Sequence, residues 1–248
     1  MKIILIGASG KMGTELTNLA KDEIVCGVDL IKTPRPYPLY TSLRECKEEA
    51  DMVIDFSSKN AIEERLTVCS ERGIPAVLAA TGYSEEESRA VEEFAKKIPV
   101  FQSGNFSLGI AITEYLSEKT AAFLGDDFDT EIIERHHNRK KDAPSGTALM
   151  LAESVNRGLK ENRRLCFGRS GNAGARDKRE IGIHAVRGGT IVGEHEVLFA
   201  GDNERISISH SAESRKIFAL GALRAARWLC SQTKGLYGMR DMLKDLLK

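Results

Sequence analysis

The densest chemistry in the chain lies in one stretch, Glu134-Arg-His-His-Asn-Arg-Lys-Lys-Asp-Ala-Pro-Ser-Gly-Thr147. It gathers two histidines, four cationic side chains, an aspartate and a Pro-Ser-Gly-Thr turn into fourteen residues. Ile132 and Ile133 precede it, and Ala148, Leu149, Met150 and Leu151 follow. That order reads as a strand, a polar loop and a helix. Pro144 suits the loop, because the residue before a proline is pushed out of helical geometry. Ser145 fits an N-cap, with Gly146 and Thr147 opening the helix. Backbone amides at a helix start hold anions, and Lys140, Lys141 and the histidines add positive charge. The stretch is therefore expected to bind a small anion, a carboxylate or a phosphate. A histidine there is a natural proton donor near neutral pH. A lysine ammonium beside it would stabilise negative charge that develops during a reaction. Adjacent histidines could also hold a metal, but neighbours on a strand point to opposite faces. No CxxC or HExxH accompanies them, so no metal is expected.

A second motif supplies a partner for such chemistry. Ile3 to Ile6 reads as a buried strand running into Gly7-Ala-Ser-Gly10-Lys-Met-Gly13, after which Met12, Leu16 and Leu19 recur at near-helical spacing. Strand, glycine turn and helix resemble a dinucleotide-binding fingerprint in its GxxGxxG form. Glycine permits the tight turn and the close approach of backbone to a pyrophosphate, which then sits at the helix start. The next strand, Ile24 to Val28, ends at Asp29. A carboxylate about twenty residues beyond the glycines accepts from ribose hydroxyls and repels a 2′-phosphate. Leu30 follows, where an arginine could have gripped that phosphate, while Lys32 and Arg35 remain within reach. The balance leans towards NADH over NADPH.

The rest of the chain must position these two motifs. Its 248 residues allow two domains. Lys+Arg and Asp+Glu are both 36, so no global basic field exists for nucleic acid. The five cysteines, Cys26, Cys46, Cys69, Cys166 and Cys230, are scattered, which argues against a disulfide framework or a cysteine zinc site and for a reducing, cytoplasmic setting. The short N-terminal apolar run reads as a strand and not as a signal peptide. No apolar stretch reaches the about 18 residues of a membrane span. Strand and helix patterns alternate to about residue 101, predicting a doubly wound parallel sheet with short helices, one of them over Leu43 to Ala50. Phe106, Ile110, Thr113 and Leu116 then mark the inner face of a helix. Residues 166–180 read as a mobile loop. Three strands with short turns follow, over 181–186, 190–200 and 205–210, suggesting a mixed or antiparallel sheet whose open face could carry an oligomer interface. A long helix begins near Ser214, is broken at Gly235-Leu-Tyr-Gly238, and is succeeded by a short amphipathic helix to Leu247. The boundaries expected are 1–105 for dinucleotide binding, 106–213 for substrate binding and oligomerisation, and 214–248 for helices returning to the first domain.

Several of these motifs together resemble the 4-hydroxy-tetrahydrodipicolinate reductase family, long called dihydrodipicolinate reductase. They are Glu134-x-His136-His137-x-x-Lys140-x-Asp142-Ala-Pro-Ser-Gly-Thr147, Gly7-x-x-Gly10-x-Met12-Gly13, Asn105-Phe106, Ile181 to Gly189 with Ile191 to His195, and the Gly-Leu-Tyr-x-Met-Arg run at 235–240. The resemblance spans essentially the whole chain. It implies an N-terminal Rossmann-type parallel sheet, a smaller C-terminal α/β domain of mixed sheet, final helices that return to the first domain, and a homotetramer. It implies hydride reduction of a conjugated cyclic imine dicarboxylate by NADH or NADPH in the diaminopimelate route to lysine. By resemblance, His136 is the catalytic histidine, Lys140 the catalytic lysine and His137 a carboxylate ligand. Ser145, Gly146 and Thr147 hold the other carboxylate. Gly7, Gly10, Lys11, Met12, Gly13 and Asp29 fall at cofactor positions, with Ala79, Thr81, Ser103 and Phe106 near the nicotinamide. Two departures bear on cofactor contacts: Ala79-Ala-Thr-Gly82 replaces a frequent Gly-Thr-Thr-Gly, and Ser58 stands where an arginine is common. Two other classes fit parts of the pattern, namely a dinucleotide sensor without catalysis and an amino-acid dehydrogenase reducing a different imine. His184, His195 and His210 read as sheet residues satisfying hydrogen bonds.

Overall fold

The computed structural model describes residues 1–31 and 33–246. Lys32 and Leu247, both used in the sequence reading, lie outside the described residues. The chain divides into two compact units, Met1–Leu108 with Arg215–Lys248, and Gly109–Ser214. Among the described residues no helix is long and apolar enough to cross a membrane.

In the first unit strands and helices alternate as β1 (Ile3–Ile6), α1 (Lys11–Ala20), β2 (Ile24–Val28), β3 (Leu39–Tyr40), β4 (Met52–Asp55), α2 (Ile62–Arg72), β5 (Ala76–Leu78), α3 (Glu85–Ala95) and β6 (Pro99–Gln102). The strands are apolar throughout because helices cover both faces of a parallel sheet. α1 buries Gly13, Leu16, Thr17 and Ala20, a three-and-four spacing that lays one stripe on the sheet. Two local expectations fail here. The helix expected over Leu43 to Ala50 is one 3-10 turn, Leu43–Glu45. Beyond it, Arg72 donates to the Cys46 carbonyl at 3.2 Å and to the Glu48 carbonyl at 2.5 Å, so tertiary bonds take the groups a helix would have used. Residues 31–40, with Pro34, Pro36 and Pro38, read as a loop, but they end in β3, which the sequence does not announce.

The second unit contains α4 (Leu108–Leu124), β7 (Asp129–His136), α5 (Gly146–Gly158), β8 (Arg164–Phe167), β9 (Glu180–Arg187), β10 (Gly193–Ala200) and β11 (Arg205–Ala212). The mixed sheet has the order β11-β10-β7-β9-β8. β9 and β10 are therefore not neighbours, contrary to a simple run of hairpins. β7 lies between them, parallel to β9 and antiparallel to β10, and the α5 crossover leads from it to β8 at the sheet edge. The β9–β10 turn passes over the end of β7, where Gly188 donates to the His136 carbonyl at 2.9 Å and Asn138 donates to the Gly189 carbonyl at 3.2 Å. On one face Ile132, Leu151, Val155, Ile181, Val197 and Phe199 form the core under α5. In α4 the buried stripe runs through Ile110, Thr113, Ser117 and Ala121. Leu116 is 43% exposed, so the expected inner face is rotated away from it. The stretch 166–180 is tethered more than a mobile loop would be. It begins within β8, Arg169 pairs with Glu131 and Glu180, and Arg176 pairs with Asp129 and Glu131. Burial raises the Glu131 carboxyl, but these arginines and His184 outweigh it and hold the group at about 2.

The chain then returns to the first unit as α6 (Lys216–Leu229), β12 (Gly235–Tyr237) and α7 (Met239–Leu246). Gly235-Leu-Tyr237, read as a helix break, is the seventh strand of the sheet, parallel to β6, in the order β12-β6-β5-β4-β1-β2-β3. Three residues are too few for a period-two signal.

The glycine turn leaves no room for a side chain at two of its positions. Gly7 has φ +79, and a Cβ there would lie 2.9 Å from the Phe56 carbonyl group. A Cβ on Gly13 would lie 2.3 Å from the Gly7 carbonyl oxygen, whereas one on Gly10 would meet that oxygen only at 3.3 Å. Gly13→Ala is therefore expected to lower stability by about 2 kcal/mol, and Gly10→Ala by less than about 1 kcal/mol. Urea unfolding of both variants checks this; equal losses would contradict the close-approach reading.

Candidate active site

Alternation along β7 sets the site in the second unit. Glu134 and His136 share the helix-covered face. Arg135 points to the other face, 3.8 Å from Glu194 and 3.6 Å from Glu196. Glu134 is fully buried. Its carboxylate accepts from both terminal nitrogens of Arg187 at 2.7 Å, from the Ser145 amide at 2.9 Å, and from His136 Nδ1 at 2.6 Å. Burial alone would raise this carboxyl. The Arg187 fork, His136 and the Ser145 amide outweigh it and hold Glu134 below its ordinary value. An ionised Glu134 accepts only, so Nδ1 carries a proton and Nε2 is the nitrogen left for chemistry. Nε2 lies above Gly193 of β10, where a Cβ would approach to 3.0 Å.

Ser145 is the N-cap of α5, its Oγ accepting from the Ala148 amide at 3.2 Å. The same Oγ lies 3.0 Å from His195 Nε2. Burial, and then the neighbouring charge of His136, hold His195 at about 4. The His195 and His136 rings meet edge to face at 5.2 Å. His195 is thus a hydrogen-bonded sheet residue, as expected, and it borders the residues gathered around Glu134. Arg187 donates also to the Asp142 carbonyl at 2.7 Å, which ties the loop to the same anchor. Within the loop, Lys140 Nζ sits 2.8 Å from Asp142 Oδ2, and Lys140 depresses the Asp142 carboxyl. The Ala143–Pro144 peptide is cis. His137 follows the strand and is half-buried, Gly146 is exposed at the start of α5, and Thr147 is half-buried beside it. The expected residues therefore gather at one end of β7, but the Ser145 side chain is committed to its helix and to His195.

In the first unit a cavity of about 670 Å³ opens at the carboxyl ends of β1, β2 and β4. Gly7, Gly10, Asp29, Leu30, Ile31 and Arg65 are among its walls. Ligands in open α/β sheets gather at these strand ends. Asp29 accepts from the Ser9 amide at 2.8 Å and from the Ile31 amide at 3.1 Å, and each oxygen keeps a second lone pair. Leu30 and Ile31 are 86% and 71% exposed, an apolar rim at the mouth. Arg35 donates to the Ala8 carbonyl at 2.9 Å and to Thr14 Oγ1 at 2.8 Å, so it braces the glycine turn. Lys11 and Met12 lie in the first turn of α1, whose cap Gly10 has no side chain to offer. Ala79 and Thr81 lie beyond β5. Ser103 accepts from the Asn105 amide and donates to its carbonyl, shaping the loop after β6. The Phe106 ring is 2% exposed and packs on Phe56 and Phe101, so its side chain belongs to the core.

Sequence reasoning assigned no role to Glu134 or Arg187 and set His195 aside. The Glu-x-His spacing was a usable signal, because residues i and i+2 share a strand face. Arg187 lies 53 positions from Glu134 and meets it only through the β7–β9 register.

Comparisons with known proteins bear on the whole chain. The family model for the N-terminus of dihydrodipicolinate reductase matches residues 1–106, and the model for its C-terminus matches residues 109–243. The 4-hydroxy-tetrahydrodipicolinate reductase of Caldanaerobacter subterraneus is 52% identical, covering 98% of both chains. That of Clostridium perfringens is 45% identical with the same coverage. A dipicolinate-bound dihydrodipicolinate reductase from Paenisporosarcina superposes with a TM-score of 0.80 over 98% of this chain and 99% of its own, at 24% identity.

His195 gives this site a pH signature. The unfolded chain takes up that proton near ~6.5, and the folded chain only at about 4. Stability is thus whole above the ordinary histidine value and declines as pH falls from there towards the folded value, by up to about 3 kcal/mol. In thermal unfolding, His195→Gln should remove most of the slope between about pH 6.5 and 4.5; an unchanged slope would contradict the assignment.

Proposed function

The chain belongs to the dihydrodipicolinate reductase family, and we propose that it reduces 4-hydroxy-tetrahydrodipicolinate to tetrahydrodipicolinate with a reduced nicotinamide cofactor. The observation that carries this reading is the Arg187–Glu134–His136 arrangement beside the α5 helix start. Loss of the substrate's hydroxyl together with one ring proton, as water, leaves a conjugated cyclic imine, to which a bound reduced nicotinamide would supply a hydride. Hydride addition puts negative charge at the far end of the π system, and one proton must be delivered there. His136 delivers it from Nε2, since Nδ1 is held by Glu134. Lys140 stabilises the developing charge and, with His137, binds one carboxylate. The other carboxylate meets the amides of Gly146 and Thr147 at the start of α5. Ser145 shapes this second subsite from behind. Lys140 exchanges Asp142 for the substrate carboxylate when the diacid binds.

In the first unit, Gly7 to Gly13 and the start of α1 would hold the cofactor's pyrophosphate. Ala79, Thr81 and the Ser103–Phe106 loop would serve the nicotinamide. Asp29 would accept from the ribose hydroxyls, and Leu30 and Ile31 would face the adenine. NADH is the preferred cofactor: the rim is apolar, a carboxylate faces the 2′ position, and Arg35 is engaged with Ala8 and Thr14. Residues 31 to 35 contribute no described cation free of such bonds. The uncovered face of the mixed sheet, with Ile133, Leu198 and Val186 among charged neighbours, supports association into a homotetramer.

A synthase-coupled assay tests the reaction, with absorbance at 340 nm following each cofactor. Oxidation that needs the synthase product, faster with NADH, is expected. Folded protein that binds NADH but shows no oxidation would overturn the reading. His136→Gln should lower turnover by about 100-fold with unchanged cofactor affinity. Lys140→Ala should weaken both turnover and binding of pyridine-2,6-dicarboxylate, a flat diacid mimic. Parent-like kinetics in either variant would remove that residue from its role.

A further inference from the structure

Away from these sites, three metal-type donors converge under the wall of the first unit's cavity. The ligand atoms of Cys26, Cys46 and Glu48 all lie within 4.8 Å of one another. Cys26, on β2, is 0% exposed, and Cys46 is 6% exposed. Both thiols are free. Glu48 is half-buried. Its carboxylate is oriented by Tyr40, whose hydroxyl donates to Oε1 at 2.8 Å. Arg72 donates to the backbone carbonyls of both Cys46 and Glu48, fixing the two donor residues in place and bringing a positive charge close to them.

From this geometry we infer a structural binding site for one thiophilic divalent cation, of the zinc type, with Cys26, Cys46 and Glu48 as its protein ligands and water in the fourth position. Tetrahedral zinc has metal–sulfur bonds of about 2.3 Å and metal–oxygen bonds of about 2.0 Å, which put donor atoms roughly 3.5 to 3.8 Å apart, inside the span seen here. Two sulfurs and a carboxylate suit zinc better than magnesium or calcium, which take oxygen. The hydrogen bond from Tyr40 to Glu48 is of the kind that orients a ligating carboxylate. Binding converts two thiols to thiolates and releases two protons. Two thiolates, a carboxylate and the divalent ion sum to one negative charge, which the Arg72 guanidinium offsets. The cation would staple β2 to the segment after the 3-10 turn. Asp29, Leu30, Ile31, Thr41, Ser42 and Leu43, all walls of the cavity, lie between the two cysteines in sequence. The site adds a structural role to the first unit and does not depend on the reductase reading.

The test uses the full chain carrying Cys166→Ser and Cys230→Ser, which removes the two more accessible thiols. Cobalt(II) is titrated under anaerobic conditions, and zinc is then added to compete. Expected are one cobalt per chain with sulfur-to-metal charge-transfer absorption, displacement by one equivalent of zinc, and a higher melting temperature with zinc bound. Glu48→Gln should weaken cobalt binding by about 10- to 100-fold, and Cys46→Ser should abolish the charge-transfer band. Glu48, at the surface, is the variant most able to keep the fold if Cys46→Ser does not. Absence of the band, a band unchanged by Glu48→Gln, or recovery of a Cys26–Cys46 disulfide from protein never exposed to oxidant would each overturn the site.

Discussion

A carboxylate with no exposure to water is the constraint on which the second unit depends. Glu134 can remain charged inside the protein only because three separate elements direct donors at it: Arg187 from β9, the Ser145 amide from the start of α5, and the His136 ring from its own strand. An ionised group left without such partners costs several kcal/mol. Removing one partner therefore perturbs the others, and strand, loop and helix are locked to a single geometry. The consequence for chemistry is the choice of His136 nitrogen. With Nδ1 committed, Nε2 faces the space that Gly193 leaves open.

The first unit follows a different logic, one of space and not of charge. Gly7 and Gly13 admit backbone where any side chain would collide. Arg35 braces the turn, and Asp29 ties the end of β2 to Ser9. The result is a tight glycine turn at the start of α1, where backbone amides can approach an anion closely. Asp29 adds a carboxylate to the wall of this cavity, each of its oxygens keeping a lone pair beyond the Ser9 and Ile31 amides.

Much of this was legible in the sequence, and the parts that were not share a cause. The parallel sheet, the glycine turn, the N-cap at Ser145 and the strand-loop-helix around His136 are local patterns of period, turn chemistry and capping. The β12 strand, the β7 position between β9 and β10, and the Arg187 fork are long-range pairings that leave no local trace. The loss of the helix after Leu43 shows a tertiary arginine overriding local propensity. His195 was legible as a hydrogen-bonded strand residue, but its partner was not. Its contact with Ser145 spans 50 positions and follows only from the sheet register.

The most direct measurement is the tautomer of His136, read by long-range 1H–15N correlation in protein labelled at histidine, with His136→Gln used for assignment. The account predicts a proton on Nδ1 as long as the protein is folded and Glu134 is ionised. A neutral ring carrying its proton on Nε2, with Nδ1 bare, would require a protonated Glu134. That result would contradict both the buried anchor and the direction of proton delivery.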